Sequence, residues 1–189
     1  HLVVPRPMLE MEPLFMSILG ASQSGKSYLL AAMTWQLRQV MAAQFAVSFS
    51  DSDPTLNQIL NGYEKELFLN SKSEDWYQME NLIKKTEAQG EWYDRVKYGN
   101  QDVTYPKPFL FSVIPQEHHP HAQQAERFGR VVCLYDNAGE QFNPGNDTTA
   151  NPMTRHLAHS RVLYFVFDPT QDNRFRQALH RADRDAYLP

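Results

Sequence analysis

Short apolar runs alternate along this chain with longer stretches in which apolar residues recur every three or four positions, the pattern of strands and helices taking turns. Leu14 to Leu19 is the first run. It follows Pro13 and leads, through a glycine-containing loop, into Lys26 to Ala43, a long stretch of good helix formers. The order predicts strand, loop, helix. Phe109 to Ile114 and Val131 to Tyr135 are two further strand-like runs, joined by a polar segment that carries Pro115, three histidines and Gly129. Such a pair is expected to fold as an antiparallel hairpin. Val162 to Phe167 reads as a fourth strand, apolar throughout as buried parallel strands are. Asn151 and Pro152 supply a cap and first turn for a short helix ending near His159. Asp172 is the expected cap of a last helix on which Phe175, Ala178, Leu179 and Ala182 share one face.

The region from Ala46 to Tyr105 breaks this rhythm. It is polar, rich in Glu, Lys, Asn and Tyr, and places Leu56, Ile59, Leu60 and Tyr63 at helical spacing. A helical insertion at about 46–105 is expected, lying as a surface excursion between core elements. Within it, Ala46 to Phe49 carries only a weak strand signal. Trp76, Tyr77, Trp92 and Tyr93 are expected to pack a small helical subcore there before they form a partner-binding face.

With 189 residues and 42% hydrophobic composition, the chain can bury one sizeable core, and the expectation is a single domain over residues 1–189. A net charge of −4 leaves no basic footprint, so nucleic acid and anionic membranes are not indicated as partners, and any bound anion must be held by a local device. The single cysteine, Cys133, falls inside an apolar run. It is read as a buried small hydrophobe, which fits a reducing compartment. No apolar run approaches the roughly 20 residues of a membrane span, and the segment His1 to Pro13 lacks the features of a signal peptide. A cytoplasmic location is expected.

The local device is the string GASQSGKS, Gly20 to Ser27, which satisfies G-x-x-x-x-G-K-[ST] and lies between an apolar strand and a helix start. Gly20 and Gly25 permit backbone angles and a close approach that side chains would obstruct, so that the amides of Gln23, Ser24, Gly25 and Lys26 can turn inward around a phosphate. Ser22 and Tyr28 complete the expected nucleotide contacts. Lys26 supplies a point charge for the β- and γ-phosphates and is expected to stay exposed until phosphate arrives. The hydroxyl of Ser27 is a candidate ligand for Mg2+. The bland alternative is a chance match in a serine-rich turn; the flanking strand and helix weigh against it.

A metal site of one hydroxyl and phosphates still needs a carboxylate, and the run Val131 to Tyr135 delivers Asp136 at its C-terminal end, where α/β folds place ligands. In the string DNAGE, Asp136 can bind Mg2+ directly or through water, and Gly139 lets its N–H approach a γ-phosphate. His118, His119 and His121 do not make a closed zinc site, because structural zinc takes four ligands and the only cysteine lies in a core strand; a solvated loop is expected.

With both motifs in this order, the chain resembles the Ras-like GTPases of the TRAFAC superclass, whose D-x-x-G motif ends a strand that pairs antiparallel with its predecessor. YDNAGE and the strand ending FDPTQ look most like the prokaryotic double-GTPase-type domains. The resemblance covers Leu14 to Ala43 and Phe109 to about Leu179. It implies an α/β P-loop three-layer sandwich, with a mostly parallel sheet and one antiparallel hairpin, that hydrolyses GTP with Mg2+ as a switch. By the same likeness Glu140 takes the place of the glutamine that orients water, with Gln141 its neighbour in reserve, and Thr104 is the threonine that closes over Mg2+. A protein partner would be met through the insertion and the switch. The guanine-reading N-K-x-D motif is absent, which implies a domain cut short at its C-terminus and leaves ATP as an alternative nucleotide. An ATP-dependent phosphotransferase and an interaction module with negligible hydrolysis are the other readings.

Overall fold

In the computed structural model, which describes residues 4–69, 93–98, 101–139 and 155–178, a one-turn helix α1 (Pro7–Glu10) precedes the first strand, β1 (Glu12–Gly20). The loop after Gly20 enters α2 (Lys26–Phe45), which stops where Ala46 turns left-handed, φ +51°, and returns its N–H to the carbonyl of Met41. β2 (Val47–Asp51) and α3 (Gln58–Glu64) follow, the helix widening into a π turn over Lys65–Leu69. β3 (Tyr93–Tyr98), β4 (Gln101–Pro106) and β5 (Phe109–Pro115) come next. The chain continues through α4 (Ala125–Phe128), β6 (Arg130–Asp136), α5 (Arg155–His159), β7 (Val162–Val166) and α6 (Asn173–Ala178). No described helix is long and apolar enough to cross a membrane.

Five strands form one sheet in the order β2-β5-β6-β1-β7. β1 runs parallel to β6, with Ile18 opposite Asp136, and parallel to β7, with Gly20 opposite Val166. β5 runs antiparallel to both β6 and β2, so it alone is reversed. The expected hairpin is therefore present, with one-turn α4 in its connection. The chain is α/β with a mixed, mostly parallel sheet.

The expected helical insertion needs correction at both ends. At its start, Val47 and Phe49 are buried and β2 belongs to the main sheet. Two apolar residues alternating with serines signal a strand weakly, and pairing with β5 decides the matter. At its end, β3 and β4 form a separate two-stranded antiparallel sheet, Val96 opposite Val103, in which Tyr93 is buried. The sequence does carry a signal for this hairpin, since Gly99 and Asn100 separate two alternating runs by two residues. The helical part holds for α3, where Leu60 and Tyr63 are buried at helical spacing. Trp76, Tyr77 and Trp92 lie outside the described residues.

Side chains alternate between the two faces of the sheet. On one face Ile18, Phe49, Phe111 and Leu134 pack with Leu30 of α2 and Leu60 of α3. On the other, Leu110, Val131 and Cys133 pack with Met8, Met11 and Phe15. β7 departs from expectation. Tyr164 and Val166 meet the first cluster, but Leu163 and Phe165 are 52% and 73% exposed. An apolar run reports that a strand can be covered on both faces; it does not supply the cover. Asp172 caps α6 as expected, accepting from the N–H groups of Arg174 (2.8 Å) and Phe175 (2.9 Å). Phe175 is exposed, while Asn151, Pro152, Leu179 and Ala182 lie outside the described residues.

Where β2 ends, a side chain takes over its role. Asn57 is fully buried, donates to the carbonyl of Leu110 (2.8 Å) and accepts from the N–H of Leu110 (2.9 Å), as a neighbouring strand would. Asp51 holds Asn57 in place and also accepts from Arg38 (2.9 Å), which reaches Glu64 at 3.3 Å; Glu64 in turn accepts from Thr34 at 2.6 Å. This network fastens α3 to α2 and the sheet margin.

Replacing Asn57 with leucine, of similar shape, strands the N–H of Leu110, whose carbonyl keeps the N–H of Ser52 (2.9 Å), and urea unfolding is expected to report a loss of about 2 kcal/mol. A change within 0.5 kcal/mol would rule out the strand-mimic role. For Cys133, burial pushes the thiol up to about 12. Iodoacetamide at pH 8 is therefore expected to alkylate the native protein at least about a hundredfold more slowly than the urea-unfolded chain. Equal rates by mass spectrometry would contradict the burial.

Candidate functional site

The loop from Gly20 to Ser27 leaves β1 at the centre of three parallel strands. Gly20 has φ +156°, and a Cβ there would run into the carbonyl oxygen of Val166 and stand 2.8 Å from Ser24 Oγ. Gln23 and Gly25 are left-handed, φ +63° and +84°, and turn the chain into α2, whose first bond runs from the N–H of Leu29 to the carbonyl of Gly25. Lys26 then folds back into the loop. Its Nζ donates to the carbonyls of Gly20 (3.0 Å) and Ala21 (2.6 Å), and the residue is only 6% exposed. The expectation of an exposed lysine is corrected: the loop's own carbonyls close around the ammonium. Burial lowers its pKa, and the charge of Asp136 pulls partly the other way. Ser24 Oγ is also buried and has no hydrogen-bond partner among the described residues.

Asp136 arrives by register, since the parallel pairing sets it opposite Ile18, two residues before Gly20. It is 5% exposed, and Oδ2 accepts from Ser27 Oγ at 2.8 Å across 109 residues of chain. One carboxylate and one hydroxyl side by side are hard oxygen donors, the set Mg2+ takes when phosphates and water supply the rest. No cluster of three or more His, Cys, Asp or Glu side chains fit for a metal exists among the described residues. In the hairpin connection His121 stacks on Phe128 with ring centres 4.0 Å apart.

Gly139 lies against the loop from the other side. A Cβ on it would run into the N–H of Ser22 and come within 2.6 Å of the Ala21 carbonyl carbon and 2.8 Å of the Gly20 oxygen. The sequence-expected residues Gly20, Ser22, Gln23, Ser24, Gly25, Lys26, Ser27, Asp136 and Gly139 thus come together. Tyr28 is half-buried and packs against the core cluster. Thr104 is carried in β4 opposite Arg95, inside a strand and not in the loop its switch role requires. A ladder position ties its backbone to a partner, which a closing loop cannot afford. Glu140 and Gln141 lie outside the described residues.

No family model, curated protein or solved structure matches the chain.

Three residues near the site carry no motif. Tyr63 of α3 is buried, and burial, with smaller contributions from Asp136 and Tyr28, pushes its hydroxyl up to about 12. Asn137 is fully buried and donates to the carbonyl of Ile18 (3.0 Å), while its Oδ1 lies 2.8 Å from Nε2 of His156. The sequence hint for Asn137 was its place between Asp136 and Gly139; His156, in α5, had none.

The crowding has a measurable consequence. Gly20→Ala forces a Cβ against fixed backbone and is expected to cost about 3 kcal/mol. Gly25→Ala, with open space around it and only the left-handed penalty, is expected to cost about 1 kcal/mol. Urea midpoints in the opposite order would refute the packing around Gly20.

Proposed function

We propose that the chain binds a nucleoside triphosphate with Mg2+ and hydrolyses its terminal phosphate, GTP before ATP, as a nucleotide-dependent switch. The observation that carries this reading is the meeting of Lys26, Ser27 and Asp136 at the C-terminal ends of β1 and β6, with a glycine-lined backbone loop between them.

The chemistry follows from the residues. The loop N–H groups and the N-terminal end of α2, 20 residues long, present partial positive charge to an anion. Lys26 exchanges two carbonyl acceptors for phosphate oxygens, a stronger charge-assisted pairing. Ser27 and Asp136 are the residues that would hold Mg2+, which when bound neutralises phosphate charge. Gly139 offers its N–H towards the terminal phosphate, and Glu140 or Gln141 is the proposed orienter of the attacking water. The preference for GTP is supported by the antiparallel β5–β6 pairing that leads into Asp136, the order the Ras-like resemblance implies.

Titration with fluorescent GTP and ATP analogues tests this directly. Lys26→Met keeps the buried stem and removes the charge, and is expected to weaken binding by at least about a hundredfold. Mg2+ is expected to tighten wild-type binding about tenfold or more over EDTA, and Ser27→Ala to erase that difference. Undiminished affinity in Lys26→Met would sink the site. Adenine preference would move the protein to an ATP-dependent class, and tight binding without phosphate release would make it an interaction module.

A further inference from the structure

Asn137 sits between the two residues of its segment that serve the site, Asp136 bonded to Ser27 and Gly139 against the backbone of Ala21 and Ser22. Its own bonds point the other way. The Nδ2 group donates to the carbonyl of Ile18, which only accepts, so the amide orientation is set and Oδ1 faces His156. An amide oxygen cannot donate, so Nε2 of His156 carries the hydrogen in this 2.8 Å bond.

His156 is itself held firmly. Its ring stacks on Tyr135, centroids 4.3 Å apart. Its carbonyl accepts from Ser160 Oγ (3.1 Å), Ser160 Oγ meets Ser17 Oγ (2.8 Å), and the N–H of Arg161 reaches the carbonyl of Phe15 (2.9 Å). α5 is thereby latched to β1 and to the segment after β6. Gly139 cannot shift far along the loop without drawing Asn137 off Ile18 or His156.

We infer that the Asn137–His156 bond is a positioning device that sets the Gly139 N–H for the third phosphate, and so determines how strongly the site prefers a nucleoside triphosphate to the diphosphate. This rests on the nucleotide-binding reading. His156 is a positioning residue, acting through Asn137, and its effect belongs to the terminal phosphate alone. The diphosphate, held by the loop and Lys26, does not depend on it.

Two substitutions separate the bond from the packing. His156→Phe keeps a ring on Tyr135 and deletes the donor, whereas His156→Gln places an amide N–H where Nε2 stood. Affinities for a triphosphate analogue that resists hydrolysis and for the diphosphate are measured with Mg2+ by calorimetry on the full chain. The triphosphate-to-diphosphate preference is expected to fall about tenfold in His156→Phe, one buried hydrogen bond's effect, with diphosphate affinity unchanged, and to survive in His156→Gln. Should the Phe variant not fold, His156→Asn, whose shorter amide does not reach the Nε2 position, takes its place with the same expectation. An unchanged preference, an equal loss for both nucleotides, or a wild type that does not discriminate overturns the inference and leaves nucleotide binding standing. A wild type that binds neither nucleotide overturns both.

Discussion

The candidate site depends on how little room there is around Gly20. On one side the carbonyl of Val166 in β7 fills the place a Cβ would take, and on the other Gly139 leans on Gly20, Ala21 and Ser22. Two glycines thus let three backbone segments touch, namely the end of β7, the loop and the segment after β6. Close contact then passes position along. Because β1 and β6 run parallel in a fixed register, Asp136 stands beside the start of α2, where Ser27 meets it as the second helical residue. A side chain at either glycine would part the segments, and the carboxylate and hydroxyl would no longer share a site.

The legible part of the fold is the part whose chemistry constrains neighbouring residues. A loop that turns inward needs Gly20 and Gly25, a strand before and a helix after, and all of these are local in sequence. The β5–β6 pairing is legible for a similar reason, since two apolar runs and a polar connector suffice to suggest it. What escapes the sequence depends on distant partners. β2 is a strand because β5 accepts it, although Ser48 and Ser50 argue weakly for one. The exposure of Leu163 and Phe165 follows from what does not cover β7, and no property of the run itself encodes that. Asn57 looks like a turn residue and instead completes a ladder, and His156 gains a role only because α5 returns to Asn137. The sequence signal for the second sheet is Gly99-Asn100 between the β3 and β4 runs, set in a region whose other apolar residues recur at helical spacing.

The site is also costly ground for a fold. Lys26, Asp136, Asn137 and the Ser24 hydroxyl are all buried within one small region, and Gln23 holds a left-handed angle that most side chains avoid. The compensation lies elsewhere in the sheet. At the opposite margin Arg38, Glu64, Asp51, Asn57 and Asn61 satisfy one another, and the apolar cluster around Ile18, Leu30 and Phe111 packs between sheet and helices. Strain near Gly20 is tolerated because α2 is anchored along its length by that cluster and cannot relax by shifting.

The burial of Lys26 changes how an anion would be bound. A surface lysine must shed water and freeze a flexible stem when its ligand arrives. Here both costs fall on folding, since the stem is packed and the ammonium already sits among carbonyl oxygens. Those carbonyls are neutral dipoles, weaker partners than phosphate oxygens for a full charge in a region of low dielectric. Folding therefore leaves the ammonium incompletely compensated, as the downward pull on its pKa reflects. On the proposed reading, an anion entering the loop would recover what folding left unbalanced.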